Sequence, residues 1–199
     1  MQMQNEQGLL VVISGPSGVG KTTIVHRVKE AFEATFSVSA TTRPKSKNET
    51  EGIDYFFISN DRFDEMIQEN EFLEFAEVFG CHRYGTPRGA VEDALQDSQI
   101  MLLDIDVQGG IQVHQNMPES IRIFILPPSE QELYRRLEER GREDSLSIER
   151  RYSEAKQEIA TATKSGAYSF FIVNDDLDLA VAETIAVINE HKSSTAPTS

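Results

Sequence analysis

Gly15 to Thr22 read Gly-Pro-Ser-Gly-Val-Gly-Lys-Thr and follow directly on the apolar run Leu9-Leu10-Val11-Val12-Ile13-Ser14. A buried strand that runs into a glycine-rich turn and then a helix confines a chain to a narrow set of folds. The glycines let the backbone turn so tightly that successive N–H groups converge, and the positive end of a helix beginning near Lys21 reinforces them. Phosphate oxygens are what such a cradle takes. Gly15, Pro16, Ser17, Gly18, Val19, Gly20, Lys21, Thr22 and Thr23 are therefore the expected phosphate-binding segment. Lys21 is placed to reach β- and γ-phosphates, and the Thr22 hydroxyl to hold Mg²⁺.

Short apolar runs alternate with helical patterns along most of the chain, the signature of a parallel sheet covered on both faces. The fold class is α/β, and 199 residues with 39% hydrophobic side chains suit one domain with insertions. Core strands are expected at 9–14, 37–40, 100–105, 121–126 and 170–173. Helices are expected at 21–34, 88–96, 129–139, 145–163 and 176–190. Pro127-Pro128 closes a strand, and Ser129 ahead of Glu130 and Glu132 is a good helix cap. Between Thr41 and Gly85 the pattern changes to short strands around a polar helix near 61–68, an inserted lobe whose expected core includes Phe72, Phe75 and Val78. The Ser-, Thr- and Pro-rich end is expected to be a disordered tail.

The chain carries 19 Lys and Arg against 33 Asp and Glu, a formal charge of −14. Such a surface repels nucleic acid and anionic membranes, so neither is an expected partner. No apolar run approaches the roughly 18 residues that span a bilayer. The single cysteine, Cys81, excludes an intramolecular disulfide, and a cytoplasmic location is expected. The four histidines show no metal-ligand spacing.

Cations concentrate at Arg43 to Lys47, Arg83 to Arg88, and Arg135 to Arg151. In the last segment arginines on two helices flank Gly141, the build expected of a mobile cap over phosphates. Arg136 and Arg140 share a helix face, while Arg135 and Arg142 have Glu132, Glu138, Glu139 and Glu143 within pairing distance. Asp104 and Asp106 end the apolar run from Ile100, at the strand edge where open α/β sheets bind ligands. One residue apart on a strand, they point to one side, able to hold hydrated Mg²⁺ or accept from a base amino group. Asp106 is also placed to cap the next helix.

These residues resemble the guanylate kinase family of P-loop nucleoside monophosphate kinases. Beyond the phosphate loop, the family's Ser-x-Thr-Thr-Arg matches Ser39 to Arg43, and Gly-x-Asp-Tyr-x-Phe matches Gly52 to Phe57. Phe-Leu-Glu-x-Ala matches Phe72 to Ala76, and Tyr-Gly-Thr matches Tyr84 to Thr86. Leu-Asp-Ile-Asp-x-Gln-Gly stands at Leu103 to Gly109, Arg-Leu-x-x-Arg-Gly at Arg136 to Gly141, and Val-Asn-Asp-Asp at Val173 to Asp176. The ordered series covers roughly residues 9–190.

The resemblance implies a P-loop NTPase-type parallel sheet flanked by helices, with a small mixed GMP-binding lobe and a short helical lid. Core segments would be 8–36, 88–135 and 160–191, the lobe 37–87, the lid 136–159 and the tail 192–199. It implies transfer of the ATP γ-phosphoryl group to GMP, with dGMP as a second acceptor, by a monomer or homodimer acting in purine nucleotide metabolism. By the same resemblance Ser39, Arg43, Tyr55 and Tyr84 grip the GMP phosphate, and Glu74, Thr86 and Asp104 read guanine, with Asp106 beside them. Lys21, Arg136, Arg140 and Arg151 are the cations on the transferring phosphates, and Asn174 lies near the adenine of ATP. A guanylate-kinase-like binding module without catalysis would need neither Lys21 nor the lid arginines. Two departures stand out. Ser46 occupies a position where many relatives carry a second phosphate-gripping arginine, and 80–84 is one residue longer than usual, which makes Arg83 a candidate for the missing cation.

Overall fold

Burial on two faces explains why the apolar runs are continuous. The computed structural model describes residues 8–78, 81–139 and 145–194. The first run becomes strand β1 (Leu9–Ser14), buried at all six positions, and leads through the glycine-rich turn into helix α1 (Lys21–Phe32). Strands β2 (Thr35–Phe36), β3 (Ala40–Thr41) and β4 (Phe56–Phe57) follow, then α2 (Asn60–Gln68), β5 (Phe72–Val78) and β6 (His82–Pro87). The chain continues through α3 (Arg88–Gln96), β7 (Ile100–Asp104), α4 (Val107–Asn116), β8 (Ile121–Leu126) and α5 (Glu130–Glu139). The described part ends with α6 (Ser145–Ser165), β9 (Phe170–Val173) and α7 (Leu177–Ser194).

Strands β2, β7, β1, β8 and β9 lie side by side in that order, every pairing parallel. Along β1 the side chains alternate between two cores. Leu9, Val11 and Ile13 pack with Ile24, Val28 and Ile188 of α1 and α7, whereas Leu10 and Val12 pack with Val91 and Val113 of α3 and α4. Each such side chain contributes about 1.5–3 kcal/mol relative to exposure. Because β1 is central, its carboxyl end and that of β7 open into one crevice, the place where such sheets bind ligands.

The inserted segment builds a second, mixed sheet in the order β4-β3-β6-β5. Strands β3 and β4 are parallel, and the other two pairs are antiparallel. Phe63 and Met66 of α2 pack with Ala40 and Phe72 to make its core. Leu73 instead joins the main core, and Asn116 of α4 donates to its carbonyl at 2.7 Å, so the second sheet is rooted on α4. Phe75, expected inside, stays 37% exposed because β5 is the edge strand. The side chain of Val78 lies outside the description.

Several expected boundaries shift. The strand expected at 37–40 is two short strands in different sheets: Phe36 still pairs with Leu102 of β7, and by Ala40 the chain pairs with Gly85 of β6. Helix α1 stops at Phe32 because Glu33 turns into the left-handed region, φ 50°, and its N–H closes on the Lys29 carbonyl. Ser129 caps α5 as expected, accepting from the Glu132 N–H at 3.1 Å. Asp176 caps α7 from outside, accepting from the Leu179 N–H at 3.0 Å, so that helix starts one residue late. Of the tail expected at 192–199, residues 192–194 belong to α7, and 195–199 lie outside the described residues. So do Arg140 and Gly141. No helix among the described residues is long and apolar enough to cross a membrane.

Candidate active site

The turn after β1 is held by two buried apolar side chains, Pro16 and Val19. Val19 is fully buried in the main core, which leaves the flanking glycines to shape the backbone. Gly18 and Gly20 sit at φ +87° and +90°, and a Cβ at Gly20 would lie 2.5 Å from the Asn174 amide nitrogen. Only glycine meets both demands. Gly20 is also the N-cap of α1, so free N–H groups at the start of that helix face a cavity of about 230 Å³ lined by Gly15–Gly18, Gly20, Lys21 and Thr22. A second cavity of about 370 Å³ adjoins it, lined by Gly18, Gly20, Thr23, Arg136, Glu139, Asn174, Asp175 and Leu177.

Asn174, reached from β9, is buried. Its Nδ2 donates to the Val19 carbonyl at 2.7 Å, and its own carbonyl accepts from Arg136 Nη1 at 3.0 Å. The side chain therefore braces the phosphate loop at the edge of the second cavity. Arg136 is further held by Glu132, Nε to Oε1 at 2.7 Å. From α6, Arg151 donates to the Ser17 hydroxyl at 2.6 Å. Arginines from α5 and α6 thus approach the loop from two sides. Arg140, the fourth expected cation, falls outside the described residues.

Lys21 is the first residue of α1 and pairs with Asp104 at the carboxyl end of β7. The strand alternation on which Asp104 and Asp106 were expected to project together does not extend to Asp106. Strand β7 ends at Asp104, and Asp106 is the N-cap of α4, accepting from the Gly109 N–H at 2.8 Å.

Across the crevice, Glu74 of β5 and Thr86 of β6 are register partners, and the Thr86 hydroxyl donates to Glu74 Oε1 at 2.6 Å. Glu74 is only 6% exposed. Burial, with Asp106 nearby, pushes its carboxyl up to about 7. Gly109 packs closely beside it: a Cβ there would lie 2.8 Å from Glu74 Oε2, and the carboxylate would have to shift. Arg43, Tyr55 and Tyr84 form a second group: Arg43 Nε donates to the Tyr84 hydroxyl at 3.2 Å, and its guanidinium lies 5.4 Å from the Tyr55 ring centre. The two tyrosine rings meet edge to face at 5.8 Å. Ser39, just ahead of β3, gives its carbonyl to the Phe56 N–H at 2.9 Å.

Arg83 does not enter this group. Neighbouring residues on a strand face opposite ways, and Arg83 turns to α2, where Nη1 meets Asp64 at 2.5 Å and Nη2 donates to the Asn60 carbonyl at 2.9 Å. Its guanidinium stacks 4.6 Å from the Phe63 ring centre. Two carboxylates, Glu49 and Glu158, escaped sequence reasoning, and Glu132, expected as a partner of Arg135 and found there, was not foreseen as a partner of Arg136. Glu49 binds Arg43 with both oxygens, and that cation with the Ser46 N–H holds it down at about 2. Glu132 bridges Arg135 and Arg136 and lies at about 2 for the same cause. The i,i+4 spacing of Glu132 and Arg136 was a usable signal. Glu158 of α6 is pushed up to about 7 by burial and by Asp106, with Lys21 opposing; no spacing pointed to it.

The family model described as Guanylate kinase matches residues 7–191. This chain belongs to the guanylate kinase family. A guanylate kinase of Alkalilimnicola ehrlichii is 44% identical over 188 residues, 93% of this chain and 91% of the relative. The Thermus thermophilus enzyme of that name is 42% identical over 190 residues, 96% and 83% of the two chains. The crystal structure of guanylate kinase from Anaplasma phagocytophilum superposes with a TM-score of 0.71 at 32% identity, covering 98% of this chain and 91% of that one. Guanylate kinases thus provide both the sequence and the fold that this site is built on.

Proposed function

We infer that this chain transfers the γ-phosphoryl group of ATP to GMP, giving ADP and GDP. The observation that carries this reading is the pairing of two sites across one crevice. The phosphate loop with Lys21 lies on one side, and on the other a buried carboxylate stands beside an arginine–tyrosine group. A carboxylate at Glu74 accepts from guanine N1–H and the exocyclic amine together, and adenine offers no such donor pair, so AMP is rejected by leaving a buried acceptor unpaired. Arg43, Tyr55 and Tyr84, with Ser39, take the acceptor phosphate. We propose dGMP as a second acceptor, since the reading rests on base and phosphate.

An oxygen of the GMP phosphate attacks the γ-phosphorus in line, and the bond to the β,γ-bridging oxygen breaks as ADP leaves. The acceptor is already anionic, so no general base is needed, and the protein's work is positioning and charge neutralisation. Lys21, Arg136, Arg140 and Arg151 supply the positive charge in this reading. Oxygen donors at the crevice suit Mg²⁺: Thr22 and Asp104 would hold it. Mg²⁺ keeps several waters and binds largely through substrate phosphates, so one or two protein oxygens suffice. Bound there, it would neutralise β- and γ-oxygens. We also propose that the 37–87 lobe and the 136–159 segment close over the core during turnover, in a cytoplasmic monomer or homodimer serving purine nucleotide metabolism.

A coupled ADP-release assay with ATP and Mg²⁺ tests the reading against GMP, dGMP, AMP, CMP and UMP. Turnover with GMP and dGMP, lost by at least about 10³-fold in Lys21→Ala, is expected. Equal turnover with AMP refutes the role of Glu74, and none with any nucleotide refutes the activity.

A further inference from the structure

A guanidinium has two edges that can each meet a pair of oxygens, the end-on pair of Nη atoms and the side-on pair of Nε with Nη2. In Arg43 the end-on edge is taken. Nη1 donates to Glu49 Oε2 at 3.0 Å and Nη2 to Glu49 Oε1 at 2.6 Å. Nη1 also reaches the Pro44 carbonyl at 3.0 Å and the Ser46 hydroxyl at 3.2 Å. On the side-on edge Nε carries the Tyr84 hydroxyl at 3.2 Å, and the second Nη2 proton points the same way.

Glu49 is itself seated. Its Oε2 accepts from the Ser46 N–H at 2.8 Å, and both partners are about four-fifths shielded from solvent. An exposed ion pair would contribute little; this one is bidentate, shielded and tied to backbone. The charges also cancel. With Ser46 in place of a second cation, and Lys45 and Lys47 exposed, the grip around Arg43 and Glu49 is close to neutral before an acceptor arrives. Orientation of one fork, more than net charge, then has to supply phosphate affinity.

We propose that Glu49 is a positioning residue for the acceptor phosphate: it clamps the end-on edge of Arg43 so that the side-on edge and the Tyr84 hydroxyl face the phosphate of GMP. This rests on the GMP kinase reading above. The rival role for Glu49 is a plug that phosphate must displace, and the two predict opposite signs. Removing an anchor weakens GMP, whereas removing a plug tightens it.

The test is steady-state kinetics of the full chain with GMP and ATP varied separately. Glu49→Ala is expected to raise KM for GMP about tenfold, with KM for ATP within twofold and kcat changed less than KM. Glu49→Gln keeps one acceptor oxygen and is expected to raise it about threefold, which covers the case of an alanine variant that folds poorly. In an Arg43→Lys background, where the cation has no second edge, Glu49→Ala should add less than twofold. An unchanged or lower KM for GMP in Glu49→Ala overturns the proposal, as does an equal effect in both backgrounds. If the unaltered chain fails to turn over GMP, the kinase reading itself falls, which is a different result from active enzyme with an indifferent Glu49.

Discussion

Glu74→Gln removes a charge from one of the two charged side chains buried among the described residues, the other being Arg122. Burial, with Asp106 as a further anionic neighbour and the Thr86 hydrogen bonds opposing, lifts the Glu74 carboxyl from 4.5 to about 7. A group whose folded value is raised gives stability that is full below the unfolded value and is lost as pH rises through the folded one. Relative to a group that does not titrate, the raised value therefore costs the empty fold about 1 kcal/mol at pH 5, where only the unfolded chain ionises, and about 3 kcal/mol at pH 8, where both states do. Glutamine avoids that cost and keeps an oxygen for the Thr86 hydroxyl, although its buried NH₂ carries a penalty independent of pH. The difference between the two pH values is thus the robust quantity, about 2 kcal/mol, or a Tm gain for the variant about 4–8 °C larger at pH 8 than at pH 5. Calorimetric or circular-dichroism melts of both proteins at the two pH values measure it. The same variant should lose at least about 10²-fold in kcat/KM for GMP, because its amide presents a donor to a guanine donor. A Tm difference that is the same at pH 5 and pH 8 would refute the reasoning.

Arg83→Ala should leave KM for GMP within twofold. It should lower stability by about 1–2 kcal/mol, since it removes the link from β6 to Asp64, Asn60 and the Phe63 ring. A large rise in KM for GMP from this variant would return Arg83 to the acceptor site. Gly20→Ala forces a side chain into φ +90° and against the Asn174 amide that holds the Val19 carbonyl, at a cost of about 2–3 kcal/mol. Turnover is expected to fall at least about 10²-fold with KM for ATP raised, and wild-type kinetics would show that the loop tolerates a Cβ there.

Much of the architecture was legible because its causes are local. Leu9–Ser14 is apolar throughout and is buried throughout, and the glycines at 18 and 20 stand where the backbone turns left-handed. The parallel core followed from runs of similar length separated by helical patterns. Element ends were less legible: β2 and β3 are two residues each, too short for a period to register, and their assignment to different sheets depends on partners far along the chain. Among site residues, Lys21 and Asp104 were expected near phosphate and metal, and their ion pair joins residues 83 positions apart. Arg83 was misread because β6 turns alternate side chains to the two faces of the second sheet, one toward α2 and the other toward Arg43.

By itself the sequence determined the phosphate loop, the α/β class and the inserted lobe, since each rests on contiguous residues whose backbone and hydropathy act over a few positions. Only the tertiary structure decided which carboxylate meets which cation: Asp104 with Lys21, Glu49 with Arg43, Glu132 with Arg136. It also decided that Glu74 is buried beside Thr86 and ahead of Gly109. Coulomb energy and desolvation depend on distance and shielding in space, and neither is written in the spacing of charges along the chain.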